Sequence, residues 1–281
     1  MNLQENLKTF VLLTGLTAVL VVAGYFIAGV TGAAVALILA LAMNAFAYWN
    51  SAALALRGSH AVPLSREEAP ELHEMLDRLC AQAGLPVPSL HLIPSPVPNA
   101  FATGRNPQHA AVAVTEGLLR ALDRDEVEGV IAHELAHIQH RDILTSSVAA
   151  TVAGAITAVA NIAMFLPLFQ NDEEEGANPL ALMLFSLLAP VAAMVVQMAV
   201  SRTREYAADA TAARLTGRPE ALASALERLH RPQALPAPLP VAATQAHMYI
   251  ASPLKGQGLM TLFSTHPPFE ERVRRLRALH V

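Results

Sequence analysis

Charged residues are scarce in this sequence: they make up 15% of its 281 residues, whereas 53% are hydrophobic. Soluble domains usually carry ~25% charged residues, so this balance points to a membrane-associated protein. Aromatic residues account for only 5%, the formal net charge is −4 and no basic block is present, so we expect no nucleic-acid partner. The single cysteine, Cys80, excludes an intramolecular disulfide, and its amphipathic helical setting predicts a place in the core.

Charge is missing altogether between Phe10 and Leu56. One helical span needs ~20 apolar residues, so this stretch predicts two spans, near 10–28 and 33–50, with a turn at 28–32. A cleaved signal peptide is the alternative, but the apolar run is too long for one and continues directly into a second apolar segment.

Two later stretches, 146–169 and 179–200, also lack charge, and the acidic loop "QNDEEEGANP" lies between them. They predict a second transmembrane hairpin; the alternative is a helical hairpin buried in a large core. The basic residues that flank the spans all lie on the side away from that loop: Lys8, Arg57, Arg141, Arg202 and Arg204. The positive-inside rule therefore places both termini and the middle part in the cytoplasm, in a multi-pass protein of the inner (plasma) membrane.

The predicted organisation has four parts: an N-terminal hairpin (1–56), a cytoplasmic part with helices and strands (57–145), a second hairpin (146–200) and a cytoplasmic helical part (201–281). In the second part we predict a helix over 67–83, short strands at "SLHLI" and "HAAVAV", and an edge strand or loop at "NAFATG". Asp125, with Glu128 three residues later, predicts a capping box at the start of the next helix.

That helix carries "VIAHELAHIQHRD", Val130 to Asp142. Residues four apart lie on one face of a helix, so the imidazoles of His133 and His137 can share one metal ion. Glu134 points to the side of this metal position and suits a general base toward a water that the metal activates. The His-Glu-x-x-His spacing is typical of zinc metalloproteases, and we expect one zinc ion per chain.

A catalytic zinc ion needs a third protein ligand. His140 lies ~10 Å along the helix axis from His133, so we interpret it as a non-ligand. Glu205, in "SRTREYAADA", is the better candidate, because an antiparallel hairpin that turns near residue 170 returns it to the level of the histidines. Asp209, one turn further on, could fix the second nitrogen of a ligand histidine. The alternative is that both acids belong to a solvated helix face.

Four motifs, "NAFATG", "AHELAHIQHRD", "SRTREYAADA" and "STHPPFEER", together resemble the HtpX-like membrane metalloproteases, relatives of the CAAX prenyl protease. The resemblance covers nearly the whole chain, including the order of the two hydrophobic hairpins. It implies a zinc-dependent endopeptidase of membrane-protein quality control. The family's zinc ligands match His133, His137 and Glu205, its catalytic base matches Glu134, and its supporting aspartate matches Asp209.

Two further sites carry over from the resemblance. Asn99, Ala100 and Phe101 match a family segment beside the active site, where an exposed edge strand could pair with an extended substrate; a simple loop is the alternative. His266, in "THPP", matches a histidine that faces the cleft and would donate a hydrogen bond to the oxyanion of the tetrahedral intermediate. The alternative for His266 is the start of a helix.

The resulting prediction is a mainly α membrane protein of the α+β class, in which two transmembrane hairpins carry a cytoplasmic zincin-like catalytic domain with a small β-sheet. Its expected partners are unfolded or membrane-protein substrates and the lipid bilayer, and its oligomeric state stays open. Two alternatives remain: a processing protease for a specific lipidated or membrane target, and a client-binding membrane scaffold with a structural zinc ion. Glu134 argues against the scaffold, because a structural zinc site needs no carboxylate beside its ligand.

Overall fold

The computed structural model describes residues 3–144, 202–230 and 267–279. Its elements in chain order are helix α1 (Leu3–Gly58), strand β1 (Val62–Pro63), helix α2 (Pro70–Ala83), strand β2 (Ser89–Ile93), strand β3 (Ala100–Gly104), strand β4 (Ala110–Thr115), and helices α3 (Glu116–Ala121), α4 (Arg124–His140), α5 (Arg202–Thr216), α6 (Pro219–His230) and α7 (Phe269–Arg277). The predicted second hairpin, 146–200, lies outside the described residues.

Helix α1 folds back on itself. The side-chain amide of Asn44 donates to the hydroxyl of Thr17 at 2.9 Å, whereas a straight helix would separate these two residues by ~40 Å. Gly29, between them, has a φ of 59°, a left-handed conformation that glycine adopts without steric cost. The reversal therefore falls at the turn predicted for 28–32.

One helical segment of the described residues, Gly29–Phe46, is long and apolar enough to cross a membrane. Its mean hydropathy is 1.9 and only 6% of it is buried, so the described part of the chain leaves most of its apolar surface uncovered. This segment overlaps the span predicted at 33–50. The span predicted at 10–28 contains residues whose side chains lie outside the description, and it stays a prediction.

The sheet has four described strands in the order β1-β2-β4-β3. β2 and β4 run parallel, and β3 pairs antiparallel with β4 from Ala100 opposite Val114 to Gly104 opposite Ala110. The strands predicted at "SLHLI" and "HAAVAV" are thus β2 and β4, and "NAFATG" supplies β3 at the edge of the sheet. The α+β character of the prediction is confirmed.

Helix α4 begins two residues earlier than predicted. Oδ1 of Asp123 accepts from the backbone N–H of Glu126 at 3.0 Å, and Oε2 of Glu126 accepts from the backbone N–H of Asp123 at 3.0 Å. The capping box predicted at Asp125 and Glu128 is wrong, because the carboxylate of Glu128 instead accepts from Arg78 at 2.9 Å. Two Asp-x-x-Glu pairs overlap here, and the spacing alone does not choose between them.

Helix α4 is the centre of the domain. Every residue from Glu126 to Ala136 is buried, and the helix packs against α2, α5, α6 and strand β3. A helix that is covered on all sides loses the amphipathic pattern of a surface helix. Its polar side chains therefore face other buried groups, and those groups determine what the helix can do.

Candidate metal centre

The two histidines of α4 point their Nε2 atoms at one position. These atoms lie 3.1 Å apart and the imidazole rings are nearly perpendicular, at 88°. Their spacing of one helical turn produces this approach. The side chain of His133 is 1% exposed and that of His137 is 16% exposed, so both imidazoles are largely shielded from water.

Glu205, in the first turn of α5, completes a triangle with the histidines. Its Oε1 lies 3.5 Å from Nε2 of His137 and its Oε2 lies 3.7 Å from Nε2 of His133. Tetrahedral zinc with bonds of 2.0–2.1 Å holds its ligand atoms ~3.3 Å apart. The three groups therefore have the spacing that one small metal ion requires, and the predicted convergence of α4 and α5 is confirmed.

Glu134 lies beside this triangle and is 3% exposed. Burial raises the pKa of its carboxyl group, and the neighbouring imidazoles of His133 and His137 partly counter that effect. The backbone N–H of Ala102, in the edge strand β3, donates to the same carboxyl group. A carboxylate with a raised pKa next to a metal position suits a group that both takes up and releases a proton.

Asp209 lies one turn beyond Glu205 on α5 and faces the other nitrogen of His133. Its Oδ1 is 3.0 Å from Nδ1 of His133, a close contact whose angle falls short of a well-aligned hydrogen bond. Burial alone would raise the pKa of Asp209, but the adjacent guanidinium of Arg272 outweighs burial and lowers that pKa to about 2. Asp209 is therefore ionised, the state in which a carboxylate can orient a histidine that binds a metal.

Arg272 is a residue of this site that sequence reasoning missed. It is 1% exposed, Nε donates to Oδ2 of Asp209 at 2.8 Å and Nη2 donates to Oδ1 at 2.7 Å. A sequence signal existed: Arg272 falls within the apolar face that Phe269, Val273 and Leu276 form on α7. A charged residue on a buried face needs a partner of opposite charge, and here that partner is at the metal centre.

The charges of the site favour a divalent cation. Four buried carboxylates (Glu134, Asp142, Glu205 and Asp209) face two guanidinium groups (Arg204 and Arg272). With neutral histidines, four negative and two positive charges leave two negative charges, which one divalent ion balances. In the metal-free site the excess attracts a proton instead: burial lowers the pKa of His137, but Asp142, Glu205 and Glu134 outweigh burial and raise it to about 9. The residues present therefore fit a metal ion.

The predicted substrate segment lies at the edge of the described sheet, but its side chains are not exposed. Asn99, Ala100 and Phe101 are 1%, 0% and 2% exposed. Phe101 packs with Ala55 of α1, because α1 covers this face of β3. The expectation of an exposed segment is wrong for the side chains, which leaves the main chain of β3 as the group that can pair.

Asn99 ties the start of β3 to the end of β4. Its backbone N–H donates to Oγ1 of Thr115 at 2.8 Å, and its carbonyl oxygen accepts from the backbone N–H of Thr115 at 2.9 Å. These bonds fix β3, and with it the N–H of Ala102, relative to Glu134. His140 lies 3.3 Å from the hydroxyl of Thr211, outside the triangle, as its interpretation as a non-ligand predicted. His266 lies outside the described residues.

The comparison with known proteins decides the family. A model of peptidase family M48 matches residues 66–280. The chain belongs to peptidase family M48. A protease HtpX homolog of Pelotomaculum thermopropionicum is 49% identical over 282 residues, which cover 99% of this chain and all of that protein. A protease HtpX homolog of Persephonella marina is 51% identical over 97% of this chain and 96% of its own length.

A solved structure with the same fold is the crystal structure of S. mikatae Ste24p. The two align with a TM-score of 0.53 and 20% sequence identity. The alignment covers 97% of this chain and 64% of the length of that protein. At this identity the likeness concerns the fold alone. Together with the family match, the site makes this M48 peptidase a metalloprotease, and the predicted resemblance and enzyme class are confirmed.

Proposed function

We propose that this M48 peptidase is a zinc endopeptidase that cleaves unfolded or damaged membrane proteins at the cytoplasmic face of the inner membrane. The observation that carries the proposal is the triangle of His133, His137 and Glu205 with the buried carboxyl group of Glu134 beside it. The N/N/O donor set and the separations of 3.1, 3.5 and 3.7 Å between its donor atoms suit tetrahedral zinc with one position left for water or substrate.

The proposed mechanism assigns each step to a residue of the chain. Bound zinc supplies Lewis-acid activation of a water molecule and of the peptide carbonyl. Glu134 takes a proton from the attacking water and afterwards delivers it to the nitrogen of the leaving amine, a double role for which a raised pKa is suited. Asp209 and Arg272 hold His133 and Glu205 in place while the charge of the reacting groups changes. The predicted donor to the oxyanion is His266.

Substrate binding is assigned to the edge strand β3. An extended peptide can add to a sheet edge through main-chain hydrogen bonds, which give affinity with little side-chain preference. The burial of Asn99, Ala100 and Phe101 supports this assignment to the main chain rather than to side-chain pockets. Because the N–H of Ala102 donates to Glu134, a peptide along β3 would lie beside the base.

The membrane location is supported by α1. Its segment Gly29–Phe46 is apolar and uncovered, and Nη1 of Arg105, directly after β3, donates to the backbone carbonyl of Trp49 at 3.3 Å. This contact joins the sheet to α1 three residues beyond the apolar segment, so the active site lies close to the bilayer surface. A site at that level meets loops and unfolded tails of membrane proteins first, which supports a quality-control role.

The test is Glu134→Gln. We expect the purified variant in detergent to bind zinc like the wild type and to cleave an unfolded casein substrate ~10²–10⁴-fold more slowly, because the substitution removes the general base and leaves the ligands. The control is Glu116→Gln, a glutamate whose side chain is 43% exposed and whose described ion pair is with Arg120, and it should cleave at the wild-type rate.

Three results separate the proposal from its alternatives. Cleavage by Glu134→Gln at the wild-type rate would refute the assignment of the base. If the wild type, Glu134→Gln and Glu116→Gln all bind zinc and none of them cleaves the substrate, the alternative of a client-binding membrane scaffold is favoured. Cleavage of soluble folded proteins as fast as of membrane proteins in proteoliposomes would refute the substrate class.

A further inference from the structure

A second buried carboxylate contacts the other histidine of the metal centre. Oδ2 of Asp142 lies 3.1 Å from Nδ1 of His137, and the two side chains are 5% and 16% exposed. The opposite nitrogen of the same ring, Nε2, faces His133 at 3.1 Å and Glu205 at 3.5 Å. The ring of His137 is thus held between Asp142 and the metal position.

A left-handed backbone conformation at Arg141 brings Asp142 to the ring of His137. Asp142 follows His137 by five residues, and in a continuing helix it would lie ~140° around the axis from that histidine. Helix α4 ends at His140, and Arg141 takes a left-handed conformation with a φ of 65°. This conformation is uncommon for a residue other than glycine. It redirects the chain so that the carboxylate of Asp142 returns to the ring of His137.

Asp142 also links the two helices that supply the ligands. Its Oδ1 lies 4.0 Å from Nη1 of Arg204, which immediately precedes Glu205 on α5. The side chain of Arg204 is 12% exposed, so the charge pair is largely shielded from water. The relation matches that on the other side of the site, where Asp209 faces His133 and is held by Arg272.

We infer that Asp142 is a positioning residue: it accepts the Nδ1–H of His137, fixes the tautomer with the lone pair on Nε2, and orients that lone pair toward the metal. A carboxylate in this role also increases the basicity of the imidazole ligand. The inference rests on the proposed zinc site, and it gives each of the two histidines its own carboxylate.

The test measures zinc affinity rather than cleavage. In full-length Glu134→Gln protein in detergent, the Kd for Zn²⁺ is determined by competition with a chromophoric chelator. We expect Asp142→Ala to raise this Kd ~10–100-fold, the usual effect of removing such a partner. The Kd of Asp142→Asn should lie between that of the parent and that of Asp142→Ala, because the amide oxygen of asparagine still accepts from Nδ1–H.

Two further variants separate positioning from folding. Asp142→Leu keeps the branching at Cγ without an acceptor and should match Asp142→Ala, so the inference stays testable if the alanine variant does not fold. Asp123→Ala removes the cap at the far end of α4 and should lower the thermal midpoint without changing the Kd. A Kd within twofold of the parent in a folded Asp142→Leu or Asp142→Ala protein overturns the inference. If the Glu134→Gln parent itself binds no zinc, the proposed function and this inference both fall.

Discussion

Arg272 and Asp209 form a buried, two-point ion pair: Nε meets Oδ2 at 2.8 Å and Nη2 meets Oδ1 at 2.7 Å. Nη1 of the same guanidinium lies 3.5 Å from Oε2 of Glu205. Asp209 and Glu205 are one turn apart on α5, so one arginine from α7 fixes both carboxylates relative to α4. The last described helix of the chain is therefore part of the metal centre.

Replacing Arg272 by methionine should destabilise the metal-free protein by ~3–5 kcal/mol, because it leaves buried carboxylates without their counter-charge. The free energy of unfolding in detergent, from a denaturant titration, measures this. Arg274→Met is the matched control on the same helix, since the side chain of Arg274 is 76% exposed and its ion pair with Glu271 should contribute less than ~1 kcal/mol. Equal stability of the two variants would contradict the structural role given to Arg272.

Glu205→Gln should weaken zinc binding by more than the ~10–100-fold that follows the loss of an outer carboxylate, because it removes a ligand itself. The neutral amide also leaves one negative charge fewer to attract the ion. Glu220→Gln, an exposed glutamate on α6 that pairs with Arg277, is the control and should bind zinc like the parent. Chelator competition measures both, and an unchanged Kd for Glu205→Gln would remove it from the ligand set.

The triangle of ligands could be predicted from the sequence because each member follows from a local rule. Helical periodicity predicts His133 and His137 on one face, and the length of the segment between His137 and Glu205 predicts that a hairpin returns Glu205 to them. Both rules need only spacing. The structure agrees with them to the extent that all three donor atoms lie within 4.8 Å of one another.

The roles of Arg272 and Asp142 could not be predicted from the same spacing rules, and the reason differs between the two residues. Arg272 acts through a packing of α7 on α5 that no spacing specifies, and the apolar face around it was its only local signal. Asp142 acts through one left-handed residue, Arg141, and a pattern based on continuing helices places its side chain on the wrong side. The burial of Phe101 was missed likewise, because contact between α1 and β3 is a tertiary feature.

Gly129→Ala should destabilise the domain by ~1–3 kcal/mol through overpacking between α4 and α6. A Cβ at Gly129 would lie 2.9 Å from the backbone nitrogen of Leu222 and 3.1 Å from its Cα, and backbone atoms cannot yield without separating the helices. Gly15→Ala is the control, since its Cβ would meet no atom of the described residues within 4 Å. Thermal unfolding in detergent measures both, and an unaffected midpoint for Gly129→Ala would contradict the close packing.

The pH dependence of the metal-free protein should reflect the excess negative charge around His137. The pKa of this residue is about 9 in the folded protein, against its ordinary value of 6.5. The stability that its protonation contributes is therefore fully present below pH ~6.5 and is lost as the pH rises through about 9. The raised pKa of Glu134 acts in the same direction, since the folded protein becomes harder to deprotonate than the unfolded chain.

We accordingly expect the thermal midpoint of the chelator-treated protein to fall between pH 7 and pH 9, and that of the zinc-loaded protein to stay higher and vary less. Zinc must displace the proton of His137, so the apparent affinity should rise by up to ~10-fold per pH unit over this window. His137→Asn is the control, because without the imidazole most of the slope in the metal-free protein should vanish. A metal-free midpoint that is flat or rises from pH 7 to pH 9 would show that no proton compensates the charge of the carboxylates, and the electrostatic argument for a divalent ion would lose its support.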